Sequence, residues 1–198
     1  MICKLGRFTL VTLLAAAVAP SLSAAVWKLD PSHSAAQFAV RHLMVSTVRG
    51  QFEKISGTVN YDPANPEAAS VNIEVEVASI DTRNAKRDDH LRSADFFDVA
   101  NHPVMKFEST RVRKAGDGKL KLTGNLTIRG VTREVTFDVD GPAPPVKVRD
   151  GQRSGATATA VISRKDFGIT WNRAIEAGGV TVSNEVHITI DVEMISSE

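Results

Sequence analysis

The sequence predicts an all-β domain, most simply a closed antiparallel barrel of about eight strands with one short helical segment. Apolar and polar residues alternate along most of the chain, a pattern that puts one face of a strand in a core and the other in solvent. Turn-forming residues such as Gly116-Asp117-Gly118 separate the alternating runs. Only the charged segment 82–98 clearly breaks the pattern.

The predicted strands follow one another in eight runs, which cover residues 36–40, 55–61, 71–77, 105–107, 120–128, 135–139, 156–162 and 182–194. The last run is the clearest, because its even-numbered residues other than Asn184 are apolar and its odd-numbered ones polar from Val182 to Met194. A single strand from Val180 to Ile195 would extend roughly 50 Å at about 3.3 Å per residue. Such a long strand favours a tall barrel over a sandwich, although the strand number fits both.

Residues 82–98 are predicted to form a helix or helical turns. Thr82 is a candidate N-terminal cap, and a charged run follows it. Leu91, Phe96 and Phe97 supply the apolar side that would pack against or into the sheet.

The predicted barrel interior has room for a ligand. An eight-stranded barrel is just filled by side chains or holds one small ligand. Several of the residues that the alternation predicts to face inward are small, namely Ala36, Gly57, Gly124, Ala156, Ala158 and Ala160. Larger neighbours such as Phe38 or Phe137 would fill that volume under the opposite interpretation. The sequence leaves both possibilities open.

The first 25 residues have the three parts of a secretory signal. Lys4 and Arg7 precede an apolar run from Leu10 to Ala19, and small residues follow at 23–25. As a helix this run would rise only about 15 Å, roughly half the hydrocarbon core of a bilayer. We therefore expect a signal peptide over 1–25, with cleavage after Ala25 or else after Ser23, and an exported, periplasmic domain over 26–198 without a membrane span.

Composition excludes several classes of function. The chain has 24 Lys+Arg against 23 Asp+Glu, so it lacks the basic excess of nucleic-acid-binding proteins. The one cysteine, Cys3, lies in the predicted leader, which excludes a disulfide framework. Without the leader the net charge changes from +1 to −1.

The five histidines show no strong metal-binding spacing, since neither HExxH nor His-x-His occurs. Asp30, Ser32 and His33 lie close together, but Ser32 lacks the flanking glycines of a nucleophile elbow and sits in a turn-like stretch. We predict no catalytic residue, metal ligand or cofactor. The charged residues Arg87 to Arg92 form either a solvated helix face or a polar gate that meets a ligand head group.

An ordered set of motifs extends over essentially the whole predicted mature chain. Its blocks are Trp27–Ser34, Phe38–Leu43, Val48–Phe52, Ile80–Thr82, Arg87–Ser93, Asp95–Asp98, Phe107–Thr110, Gly124–Thr132 and Arg164–Gly168. Together these blocks resemble the YceI-like family of bacterial lipid-binding proteins. The resemblance implies a lipocalin-like barrel in the periplasm that holds a long-chain isoprenoid or fatty-acyl amphiphile in a central tunnel, with a role in stress response. It also implies a homodimer.

The alternation and this ligand class together predict the residues of the tunnel. The predicted lining is Phe38, Val40, Val75, Val77, Phe107, Leu126, Ile128, Phe137 and Ile162. Phe96 and Phe97 would close or floor the tunnel, while Arg87 and His90 would lie near an opening. Two alternatives remain: a lipid-modifying enzyme that uses His33, Asp30 or His90, and a ligand-free interaction protein whose barrel is filled.

Overall fold

The computed structural model describes residues 25–174 and 179–196, so the predicted signal peptide lies almost entirely outside the described residues. Within them the chain forms twelve strands, one α-helix and three short 3-10 helices. The strands are β1 (Ala25–Leu29), β2 (Ala35–His42), β3 (Ser46–Phe52), β4 (Ile55–Tyr61), β5 (Ser70–Glu76), β6 (Ile80–Asp81), β7 (Val104–Gly116), β8 (Lys119–Ile128), β9 (Val131–Asp140), β10 (Val146–Val148), β11 (Gly151–Ser163) and β12 (Glu185–Ser196). The helix, α1, spans Ala85–Arg92, and the 3-10 helices span Pro66–Ala68, Val77–Ser79 and Arg164–Phe167.

Eight of the strands close into a ring. Antiparallel pairing runs from β1 through β4, β5, β7, β8, β9 and β11 to β12. β12 then pairs with β1, which completes the circle. The predicted eight-stranded antiparallel barrel is therefore confirmed, and the sandwich is not formed.

The remaining main strands branch from β12. Its C-terminal end pairs with β1, whereas the stretch from His187 to Asp191 pairs with β2. β3 pairs with β2 and β6 with β3, so these three strands extend the wall beyond the ring. The chain breaks between β1 and β2 at Asp30–Ser34, where side-chain hydrogen bonds replace the sheet ladder.

The last strand is shorter than predicted. It begins at Glu185 and not at Val180, because Val180 and Val182 form only isolated bridges, to Ala174 and His42. The Ser183 hydroxyl donates to the Glu185 carbonyl, which helps to turn the chain before the strand begins. The predicted alternation still holds, since every even-numbered residue from Val186 to Met194 lines the interior cavity.

The prediction that small inward residues leave volume holds for only part of the set. Ala36, Ala156 and Ala158 line the cavity, whereas Gly57, Gly124 and Ala160 do not. A Cβ on Gly124 would lie 2.4 Å from the Glu108 carbonyl oxygen and 2.6 Å from the Phe107 ring, and Gly57 is similarly crowded. These glycines allow close contact within the wall, where no larger side chain fits.

The predicted helical segment contains a two-turn helix followed by turns. Asn84, and not Thr82, caps α1 by accepting a hydrogen bond from the Arg87 backbone N–H. Thr82 is buried, and its backbone N–H and hydroxyl both donate to Asp88 Oδ1, at 3.0 and 2.5 Å. The helix is thereby attached to the end of β6 by a buried carboxylate. No described helix has the length and apolar character needed to cross a bilayer.

Candidate ligand-binding cavity

A cavity of about 500 Å³ lies inside the barrel, and its wall is overwhelmingly apolar. The volume falls in the range typical of pockets for small ligands. The wall extends from Tyr61 and Leu120 to His42 and Thr181, and so includes residues from both ends of the strands.

The structure brings twelve of the thirteen predicted site residues to this wall. They are Phe38, Val40, Val75, Arg87, His90, Phe96, Phe97, Phe107, Leu126, Ile128, Phe137 and Ile162. Alternation along the strands placed the eight apolar members that lie on strands together, because successive side chains point to opposite faces of a sheet.

Val77 does not line the cavity. β5 ends at Glu76, and Val77 opens a 3-10 helix in which the two-residue repeat no longer applies. Its side chain is 1% exposed in the core, and its backbone N–H donates to the Pro103 carbonyl. Val77 therefore stabilises the turn after β5.

Aromatic side chains stiffen the cavity wall. Phe52 contacts both Phe38 and Phe97, with ring centroids 5.8 and 5.7 Å apart, and Phe107 meets Phe137 edge-on at 5.2 Å. Such aromatic pairs contribute about 0.5–1.5 kcal/mol beyond the area that they bury. Phe97, which lies in the turn that follows α1, therefore packs against the part of the wall formed by β2 and β3.

Polar residues of α1 line the same cavity. Lys86, Arg87 and His90 all contribute to its wall, although Lys86 is largely exposed to solvent. Arg87 Nε donates to Thr82 Oγ1 at 2.7 Å, and its Nη2 donates to the Thr82 carbonyl at 2.7 Å. The His90 ring lies 2.9 Å from Asp95 Oδ2 through its Nε2. Of the charged run from Arg87 to Arg92, the structure therefore places Arg87 and His90 in the cavity wall, whereas Asp88, Asp89 and Arg92 are not wall residues.

Sequence reasoning missed two prominent wall residues near α1. Trp171 packs edge-on against His90 and lies 5.1 Å from the Phe96 ring. Arg164 is 5% exposed; its Nε donates to the Ser183 carbonyl, and its Nη1 to the carbonyls of Ile169 and Trp171. The only signal in the sequence was that the alternation of the preceding strand stops before Arg164, where one of the motif blocks begins.

Arg164 is a buried cation without a neutralising carboxylate among the described residues. Its Nη2 atom is buried and has no hydrogen-bond partner. Burial lowers the pKa of the Arg164 guanidinium, because desolvation penalises the charged form. Even so, arginine remains protonated in proteins, so the cavity wall carries a positive charge here.

A second polar cluster lies at the break between β1 and β2. Asp30 Oδ1 accepts from the Ser32 hydroxyl at 2.5 Å, and Oδ2 lies 2.9 Å from His33 Nδ1 and 2.8 Å from Arg153 Nη1. Arg153 also bonds Glu193. The bond from Ser32, followed by those from Arg153 and His33, holds the pKa of the Asp30 carboxyl well below its usual range. The bond to Asp30, with the charge of Glu193, raises the pKa of His33.

The second cluster and the cavity do not form one site. Asp30, His33 and Arg153 are not wall residues, whereas His90 is. Arg153 lies near the start of β11 and Arg164 just after its end, which separates them by roughly 35 Å along the strand. Of the three residues proposed for a lipid-modifying enzyme, Asp30 and His33 are therefore in contact, but His90 does not join them. Asp30, His33 and Glu193 could together face a metal ion, but the Arg153 guanidinium already occupies both carboxylates.

Comparison with known proteins finds relatives that match nearly the whole described chain. The sequence profile of the YceI-like domain matches residues 27–194. Protein YceI from Salmonella newport (strain SL254) is 38% identical over 193 residues, which are 96% of each chain. Protein YceI from Salmonella arizonae shows the same identity and coverage.

Solved structures share the barrel. The crystal structure of Burkholderia cenocepacia BcnA superposes with a TM-score of 0.72 and 25% identity, and covers 83% of this chain and 98% of that one. The Campylobacter jejuni YCEI protein gives 0.68 and 31%, with 80% and 90% covered. A polyisoprenoid binding domain from Saccharophagus degradans gives 0.63, with 87% and 99% covered, but at 15% identity it supports the fold alone.

Proposed function

We propose that this chain, which belongs to the YceI-like family, is a lipid-binding protein that holds one long-chain isoprenoid or similar amphiphile inside its barrel. A fatty-acyl lipid belongs to the same chemical class, because it too combines a long apolar chain with a small head. The observation that carries the proposal is the apolar cavity of about 500 Å³ lined by the barrel wall. A filled barrel would need no such space.

The energetics favour a long apolar chain. Each buried CH₂ group is worth about 0.8 kcal/mol, so one five-carbon isoprene unit contributes roughly 4 kcal/mol by transfer from water. Several units would exceed known affinities, so the cost of ordering the chain must offset much of that gain. An apolar wall with few polar groups accepts chains of different length, because it has few contacts that demand a particular position.

We place the protein in the periplasm, on the basis of the predicted leader, and assign it a binding role and not a catalytic one. The separation of His90 from Asp30 and His33 gives no support to the enzyme alternative. The apolar cavity likewise disfavours a ligand-free interaction protein whose barrel is filled. A role in stress response and pairing into a homodimer remain predictions.

Ligand uptake can be followed through Trp171. This indole lines the cavity, whereas Trp27 is 2% exposed and does not line it. A Trp27→Phe variant therefore isolates the emission of Trp171. Titration with a 20-carbon prenyl alcohol, and separately with an 18-carbon fatty acid, is expected to change that emission saturably, with one ligand bound per chain.

The matched control is Trp171→Phe, which retains Trp27 alone and should give little response to the same ligands. Delipidation by solvent extraction before each titration ensures that the cavity is accessible. An unchanged Trp171 emission, together with the absence of bound ligand after gel filtration for both probes, would overturn the proposed function.

A further inference from the structure

We propose that the tip of the hairpin between β2 and β3, Leu43-Met44-Val45, is a docking element that inserts into the surface of an anionic lipid bilayer. This docking goes beyond the proposed function, because a barrel can hold its ligand without touching a membrane. Three features of the tip support it: exposed apolar side chains, a backbone conformation that does not suit them, and the arginines beside them.

The tip exposes three consecutive apolar side chains. Leu43, Met44 and Val45 are 38%, 51% and 77% exposed. They are three of the six large apolar residues that are exposed in the described part of the chain, and the other three are scattered singly. Single exposed apolar side chains need no explanation, whereas adjoining ones indicate a surface that binds something apolar.

The backbone of the tip does not suit the residues that it carries. The Val45 N–H donates to the His42 carbonyl at 3.1 Å, which closes a tight turn. The two residues between them, Leu43 and Met44, have φ values of 50° and 61°. A turn with two positive φ values favours asparagine and glycine, and Arg41 helps to hold this one by donating from Nη2 to the Met44 carbonyl at 2.9 Å. Because folding alone would favour Asn-Gly, the apolar pair indicates a function outside the fold.

The surroundings of the tip are positively charged. Arg41, Arg49 and Arg173 are exposed, and none of them forms an ion pair with a described residue. The described residues within 35–52 and 170–184 contain these three arginines and neither aspartate nor glutamate. An apolar tip among unpaired cations matches a bilayer that contains anionic lipid, because apolar burial and electrostatic attraction then act together.

The tip also adjoins the cavity. Val40 and Val48 face each other on β2 and β3 just before the tip, and both line the cavity. The Leu43 N–H donates at 2.8 Å to the carbonyl of Thr181, another wall residue, and the Thr181 N–H donates at 2.9 Å to the Arg173 carbonyl. A bilayer that receives the tip would therefore lie directly beside this end of the cavity.

The small size of the tip favours a bilayer over a protein partner. A stable protein interface involves about 20–30 residues on each side, whereas the tip offers three apolar ones. A lipid surface sets no such minimum, because its attraction grows with each apolar side chain that enters it and with each cation nearby. A second copy of this chain is the competing occupant, and self-association would reveal it.

Leu43→Asn/Met44→Gly is the decisive variant, because it removes two apolar side chains and supplies the residues that this turn favours. Binding is measured by co-sedimentation of the protein, purified from the cell envelope, with phosphatidylcholine vesicles that contain about 30% phosphatidylglycerol. We expect wild type to bind them about tenfold more tightly than pure phosphatidylcholine vesicles, and the variant to lose about tenfold in affinity. Thermal melting should show that the variant is at least as stable as wild type, so unfolding cannot explain the loss.

Arg49→Glu tests the electrostatic part. One cation near an anionic surface strengthens binding about fivefold, so the reversal should weaken binding to phosphatidylglycerol vesicles by about that factor or more. Lys28→Glu is the matched control, because it makes the same charge change at an exposed residue that pairs with Ile195, near the end of β12 away from the hairpin. Val161→Ser removes an exposed apolar side chain from β11. Neither control should alter vesicle binding.

Equal binding to the two kinds of vesicle, or binding that Leu43→Asn/Met44→Gly leaves unaltered, would overturn the docking proposal. So would a protein that ignores vesicles but self-associates in analytical ultracentrifugation and becomes monomeric in this variant, because the tip would then join two copies. The Trp171 titration with the prenyl alcohol is independent of these outcomes. Since neither Leu43 nor Met44 lines the cavity, the variant should keep the wild-type affinity for the alcohol, and failure of that titration in wild type would refute the proposed function alone.

Discussion

Ala158→Phe distinguishes a ligand-holding barrel from a packed one. Ala158 lies on β11 between Val139 of β9 and Ile190 of β12, and all three side chains line the cavity. A phenyl ring there occupies about the space of one isoprene unit. Displacing that unit removes roughly 4 kcal/mol of transfer free energy, which corresponds to a loss in affinity approaching a thousandfold.

The same substitution should leave the fold intact. In a well-packed core an added ring costs about 1–3 kcal/mol, but here it enters an existing cavity of about 500 Å³. Burying the ring then contributes up to about 2 kcal/mol to stability. We therefore expect the free energy of unfolding of the delipidated protein to be unchanged or raised.

Two assays on each protein check this prediction: urea denaturation after delipidation, and titration with the 20-carbon prenyl alcohol. Val161→Phe is the matched control, because Val161 lies on the same strand but is 56% exposed and faces outward. It should alter neither quantity by more than about 0.5 kcal/mol. A stability loss of about 1–3 kcal/mol in Ala158→Phe with unaltered ligand affinity would refute the reasoning.

Three further predictions concern the wall and its attachments. Asp88→Ala should lower the free energy of unfolding by about 1–3 kcal/mol in urea denaturation, because it leaves the two donors of Thr82 unpaired; no loss would contradict the buried contact. Gly124→Ala should cost about 1–3 kcal/mol in the same assay, because its Cβ would lie 2.4 Å from the Glu108 carbonyl; an unchanged midpoint would show that the strands separate freely there. The lowered pKa of Asp30 means that its stabilising effect is complete above its unfolded-state pKa of about 4 and is lost as pH falls through its folded-state value. The stability difference between wild type and Asp30→Asn should therefore be largest at pH 6 and shrink steadily below pH 4, and a difference independent of pH would count against the network.

Local alternation predicted the barrel wall because the pleat of a strand fixes which side chains share a face. Phe107, Leu126 and Phe137 lie on neighbouring strands, and a two-residue repeat in each was enough to bring them together. The same rule failed at Val77, because the strand ends one residue earlier and the chain turns. An alternating sequence does not show where a strand stops.

Long-range contacts account for what sequence reasoning missed. Arg164 is buried only because the carbonyls of Ile169, Trp171 and Ser183 converge on its guanidinium, and no local pattern predicts that convergence. The prediction that the small size of Gly124 leaves room in the cavity is wrong. Gly124 accommodates the neighbouring strand and the Phe107 ring, and does not enlarge the cavity.

Native mass spectrometry of the protein, purified without detergent from the cell envelope, tests the central claim most directly. Organic extraction of the same sample then identifies any bound molecule by its mass. We predict one amphiphile per chain, with an apolar chain of isoprenoid or fatty-acyl type, and a much lower occupancy in Ala158→Phe than in Val161→Phe. A protein that is ligand-free as purified, and that also takes up no prenyl or acyl lipid from added vesicles, would contradict the account.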